Sequence, residues 1–102
     1  MSFPLTGKKY RIDYGDFVFD YECDSEGKKL AFTAVGGMVA GHTETVDVDV
    51  TGIRDDVFAV TFVDSYDGRV ISVLDLSNNA VHSYVSMPEN RFFTMKGVLT
   101  VE

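Results

Sequence analysis

The stretch Val57-Phe58-Ala59-Val60-Thr61-Phe62-Val63-Asp64-Ser65-Tyr66-Asp67-Gly68 decides the fold. Phe58, Val60, Phe62, Asp64 and Tyr66 take one side of an alternation, and Val57, Ala59, Thr61, Val63 and Ser65 take the other. A period of two is the period of a strand, because successive side chains leave opposite faces of a pleated chain. Tyr66-Asp67-Gly68 supplies the residues of a tight turn, so the run reads as one arm of a hairpin.

The same reading extends in both directions. Downstream come Arg69–Leu76, the turn Ser77-Asn78-Asn79, Ala80–Met87 stopped by Pro88, and Arg91–Val101, with a break or bend expected near Gly97. Upstream, Arg54-Asp55-Asp56 separates the opening stretch from a long run, His42–Thr51. Glu44, Val46, Val48 and Val50 share the His42 face of that run, while Thr43, Thr45, Asp47 and Asp49 suit water. Lys8–Tyr14, Phe17–Cys23 and Lys29–Val35 precede it, divided by Gly15-Asp16 and Asp24-Ser25-Glu26-Gly27. No window of helical length shows a 3.6-residue period. The pattern predicts an all-β fold: a single eight-stranded up-and-down antiparallel barrel, one domain across residues 1–102. Closure removes the exposed edges of an open sheet. A barrel of this size is either filled by side chains or holds one small ligand.

Composition narrows the partners. The chain has 102 residues, 45% apolar and 13% aromatic, enough for one core. A formal net charge of −7 argues against nucleic acid, whose phosphates need clustered Lys and Arg, and against docking on an anionic membrane. It reads instead as solubility. Cys23 is the single cysteine, so no intrachain disulfide forms, and a reduced, cytoplasmic setting is expected. Met1 to Lys9 lacks the apolar stretch of a signal peptide, and nothing approaches the ~20 apolar residues of a membrane span. No Cys/His set has zinc spacing, and no EF-hand, phosphate loop or Gly-x-Ser-x-Gly elbow occurs, so neither metal nor cofactor is expected.

Chemistry is expected near Gly36-Gly37-Met38-Val39-Ala40-Gly41-His42. Glycines let the chain bend where a Cβ would clash, and the bend aims His42. If Asp64 points inward among aromatics, it is desolvated, and His42 is a candidate partner for it in an acid/base pair. The alternative is that Asp64 opens the turn to Gly68 and faces water. Tyr10, Tyr14 and Tyr21 are candidate hydroxyl donors, although tyrosine is common in strands for packing alone. His82, alternating with Tyr84 and Ser86, fits a satisfied sheet histidine better than a base. It shares a site with His42 only if their strands meet. Cys23 has no adjacent base and reads as a small apolar side chain.

These segments together resemble the small calycin-like, lipocalin-like barrels that include bacterial phenolic acid decarboxylase and the MoaF-like proteins. The resemblance runs from about Gly7 to Val101. It rests on Tyr10-Arg11-Ile12-Asp13-Tyr14, Phe17-Val18-Phe19-Asp20-Tyr21, Gly37-Met38-Val39-Ala40-Gly41, Val60-Thr61-Phe62-Val63-Asp64 and Val81-His82-Ser83-Tyr84-Val85-Ser86-Met87-Pro88. Only the Met-Val-Ala-Gly piece is specific. The decarboxylases act on hydroxycinnamic acids, and the resemblance implies a pocket with two tyrosines, an arginine and a glutamate. Tyr14 matches one tyrosine and Ile12 stands at the other. His42 takes the arginine's place and Asp64 the glutamate's. Histidine lacks the permanent bidentate charge of arginine, and aspartate is one methylene shorter than glutamate.

Three functions follow as expectations. The first is a small-molecule-binding barrel with an aromatic-lined pocket, drawing on Tyr10, Ile12, Phe19, Tyr21, Phe62, His82 and Tyr84, with Tyr14, His42 and Asp64 fixing the ligand's polar end. The second is a cofactor-free lyase or isomerase of the phenolic acid decarboxylase type, in which His42 and Asp64 move a proton and Tyr14 donates to developing charge. The third is a filled interaction barrel in which Phe58, Phe62, Phe92 and Phe93 only pack. The resemblance implies a homodimer in each case.

Overall fold

The computed structural model describes residues 3–36 and 40–102. Among these residues, nine antiparallel strands form one sheet: β1 (Lys9–Asp13), β2 (Val18–Cys23), β3 (Lys29–Gly36), β4 (Thr43–Asp47), β5 (Asp49–Arg54), β6 (Val57–Val63), β7 (Arg69–Asp75), β8 (Ala80–Met87) and β9 (Arg91–Val101). Their order is β4-β3-β2-β1-β9-β8-β7-β6-β5, which curls into a nearly closed barrel. No helix among the described residues is long and apolar enough to cross a membrane.

The count of nine rather than eight arises at Val48. The expected run His42–Thr51 divides there into β4, which pairs with β3, and β5, which pairs with β6. Val48 is buried and its N–H donates to the Lys28 carbonyl at 2.9 Å. One bent stretch of chain therefore serves both edges of the sheet. Side-chain alternation survives the bend, with Val46 and Val48 buried and Val50 packed against the core. That continuity made the two strands read as one.

β9 is not broken at Gly97. It runs through, with Gly97 opposite Val81 on β8 and Val98 to Val101 opposite β1. Glycine is needed for a close approach. A Cβ there would stand 2.8 Å from Ile12 Cγ2, 2.8 Å from Tyr14 Cδ1 and 3.0 Å from the Asp13 carbonyl. The glycine corner at Gly36–Gly41 is only partly within view, since residues 37–39 lie outside the described residues. Its ends close as a hairpin: Gly41 N–H donates to Ala34 O at 2.7 Å, and Ala34 N–H to His42 O at 2.8 Å.

One half of the barrel is filled. Tyr10, Ile12, Leu30, Leu74, Val81 and Leu99 are almost wholly buried, each side chain contributing about 1.5–3 kcal/mol on removal from water. Tyr10 and Tyr21, opposite one another on β1 and β2, stack at 5.1 Å. Leu5 is buried beneath this end, and Phe3 meets Phe58 edge-on at 5.3 Å, so the segment before β1 stoppers the filled half.

Candidate functional site

The other half is hollow. Beyond Leu74 and Val81 the inward positions carry Phe19, Tyr21, Phe32, Phe62, Val70, Val85, Phe93 and Met95. Tyr14 and Phe17 lean in from the β1–β2 turn, and Asp64 and Met87 complete a cavity of about 310 Å³. That lies at the small end of the ~300–1,000 Å³ typical of ligand pockets. Its walls are predominantly apolar and aromatic.

Three hydroxyls cluster at its floor. Ser72 Oγ is 2.8 Å from Ser83 Oγ, which is 2.7 Å from the Tyr14 hydroxyl. Ser72 and Ser83 are cross-strand partners on β7 and β8 and are both buried. Pairing satisfies hydroxyls that would otherwise be costly to bury. Tyr14 is the member of the three that faces the cavity. Burial raises its phenol above the ordinary tyrosine range, and hydrogen bonding with Ser83, Tyr21 and Ser72 only partly opposes this. Tyr14 thus stays a neutral donor at physiological pH.

At the mouth, the bend at Val48 leaves β4 splayed from the far end of β6. Glu44 bridges this seam. Its Oε1 accepts the Ser65 N–H at 2.7 Å, and its Oε2 lies 2.6 Å from His42 Nε2. The His42 ring sits 5.3 Å from that of Tyr66. Burial of Glu44 disfavours its charge, but the hydrogen bonds from His42 and Ser65 outweigh it and hold the carboxyl below its usual value. Asp64 caps the β6–β7 turn, its Oδ1 accepting from Tyr66 N–H at 2.9 Å and Gly68 N–H at 2.8 Å. A turn aspartate and an inward aspartate are here the same residue.

Of the residues expected at a site, Tyr14, Phe19, Tyr21, Phe62 and Asp64 share the cavity. His42 lies in an adjoining recess with Phe19, Phe32, Glu44, Asp64 and Tyr66. Its hydrogen-bond partner is Glu44, not the anticipated Asp64. Tyr10 and Ile12 are packed in the filled half, below the hydroxyl floor. His82 and Tyr84 are on the outer face, beside Thr94 and Lys96, because the inward set on β8 is Val81, Ser83 and Val85. The expectation of a filled barrel fits one half of the interior and not the other.

Glu44, Ser72 and Ser83 escaped selection as site residues. Each carries a legible signal, a polar side chain on the apolar face of an alternating run. Phe32, Phe93 and Met95 are ordinary strand residues that no motif marks. Among the described residues, no group of His, Cys, Asp and Glu is placed to hold a metal ion.

No curated protein matches this sequence. Among solved structures, a Burkholderia vietnamiensis protein described as a "putative beta-lactamase" superposes with a TM-score of 0.93 at 18% identity, covering 100% of this chain and 99% of that one. A likeness at that identity is one of fold. The family model described as MoaF-like matches residues 6–100, spanning every strand but the last residue of β9, and the chain therefore belongs to the MoaF-like family.

Proposed function

We propose that this protein is a small-molecule-binding barrel whose ligand occupies the hollow half. The observation that carries the reading is the division of the interior. A packed lower half supports a cavity whose walls are apolar and whose polar groups are few and placed, Tyr14 at the floor and Asp64 near the mouth. That division of labour is characteristic of sites that bind by shape and orient by one or two hydrogen bonds. The test is titration with Nile red, a neutral apolar dye. Saturable fluorescence enhancement is expected for the wild type and at least a tenfold weaker response for Val85→Trp, which fills the cavity. Equal binding by both proteins sinks the reading.

A second reading, a lyase resembling the phenolic acid decarboxylases, is favoured by Tyr14 and Asp64 lining one cavity. In that reading Tyr14 donates to developing negative charge and Asp64 moves the proton, with His42 acting from the recess through Glu44. Incubation with a panel of hydroxycinnamic acids tests it. Carbon dioxide release that is lost in both Tyr14→Phe and Asp64→Asn supports it, and an unchanged panel at high protein concentration rejects it.

A further inference from the structure

The charge around the cavity is one-sided. Among the described residues, Asp64 is the sole formally charged one lining it, and the adjoining recess adds Glu44 and holds no lysine or arginine. The His42 imidazole there is already engaged by Glu44 at 2.6 Å. Asp64 spends Oδ1 on Tyr66 and Gly68, while its Oδ2 has no hydrogen-bond partner among the described residues. Close by stand the rings of Phe19, Phe32 and Phe62, with Phe32 and Phe62 at 5.7 Å. Aromatic faces carry partial negative charge and attract cations, more strongly where water is excluded. Carboxylate and rings thus favour the same sign of ligand charge. Among the described residues, no fixed positive charge lines the cavity to receive an anion.

We infer that the occupant is a small organic cation, an amine on an apolar body. Its ammonium pairs with the unused oxygen of Asp64, and its body lies among Phe19, Phe32 and Phe62 above Tyr14. The inference rests on the barrel being a small-molecule binder and specifies what it binds. A carboxylate of the same size would bring like charge to Asp64 in a partly desolvated mouth, where repulsion is poorly screened.

The experiment compares 3-phenylpropylamine, 3-phenylpropanol and 3-phenylpropanoate by calorimetric titration at pH 7. These probes differ in head group alone. The amine is expected to bind at least tenfold tighter than the alcohol, and the carboxylate weakest. In Asp64→Asn, which keeps an oxygen to cap Tyr66 and Gly68, the amine's advantage over the alcohol should vanish. Should that variant not fold, the wild-type amine-to-alcohol ratio is measured at low and raised salt, and a charge-driven preference falls as salt rises. Equal affinities, or a preference for the carboxylate, overturn the cationic ligand and leave the binding barrel standing. Failure of all three probes while Nile red still binds also overturns it. Failure of all three together with Nile red overturns the barrel's binding role as well.

Discussion

The Tyr14 hydroxyl lies 2.7 Å from Ser83 Oγ, a contact between the β1–β2 turn and β8 across 69 positions of sequence. Ser83 in turn meets Ser72, so one serine holds both a cavity-facing phenol and a buried neighbour. Removing the Ser83 hydroxyl takes a hydrogen bond from both of its neighbours, whereas removing that of Tyr14 leaves Ser83 paired with Ser72. Ser83→Ala is therefore expected to cost about 1–3 kcal/mol, and Tyr14→Phe less. Urea denaturation of the two variants and the double variant checks this. Equal losses would show that Ser83 does not bridge.

The same tyrosine predicts an alkaline limit to stability. Tyr10, Tyr14 and Tyr21 all have phenols raised above the ordinary value of 10.0, chiefly by burial. A folded-state value above the unfolded one means that the folded protein holds the proton more tightly. The stabilisation is complete below pH 10 and is lost as pH rises towards the folded values. Phenolate absorbance from these three residues should appear together with loss of near-ultraviolet circular dichroism. Their ionisation in a still-native protein would contradict the packing.

Glu44 supplies the acid counterpart. Its carboxyl is held below the ordinary 4.5, so its contribution is present above that pH and fades as pH falls through the folded value. Wild type should exceed Glu44→Gln in stability at neutral pH, and the two should converge in acid. Parallel curves across the range would mean that the charge at the seam is immaterial.

Gly97→Ala tests the close approach of β9 to the β1–β2 turn. The new methyl meets Ile12, Tyr14 and a backbone carbonyl within 3.0 Å. Overpacking of this kind costs about 1–3 kcal/mol, and displacement of Tyr14 should weaken cavity binding too. An unchanged melting temperature and affinity would show that the strands can part freely.

The filled and hollow halves should respond differently to truncation. Leu74→Ala, in the packed half, is expected to lose about 2–5 kcal/mol. Met95→Ala enlarges a space that already exists, so its loss should be clearly smaller. Comparable losses from the two in urea would mean that the upper half is packed as well.

Much of this architecture was legible because alternation is a local signal. Phe58, Val60, Phe62 and Asp64 do face inward, and the hairpin at Tyr66-Asp67-Gly68 follows directly. The bend at Val48 was not legible, because the side chains on either side keep alternating while only the hydrogen-bond partners change. Site residues divided for a related reason. Tyr14, Phe19, Tyr21, Phe62 and Asp64 lie on inward faces at the hollow end, but nothing local distinguishes Tyr10 at the filled end from Tyr14 at the open one. Depth along the barrel axis depends on the stagger of all the strands together. His42 illustrates the other limit, since the nearest acceptor came from Glu44, two residues away, rather than from a distant strand.

The bend at Val48 also bears on how the chain reaches its native state. Every ladder but one joins strands that are neighbours in sequence, so β1–β4 and β5–β9 are each a meander assembled from short-range contacts. They are continuous at Val48, and among the described residues the ladder that joins them is β1 against β9, where Tyr10 finds Val101. Zipping that single ladder spans almost the whole polypeptide and bears the largest loop-closure entropy, so it is expected to be the slow step of folding. The cavity, with Tyr14 on one meander and Ser83 on the other, comes into being only when that zipper closes.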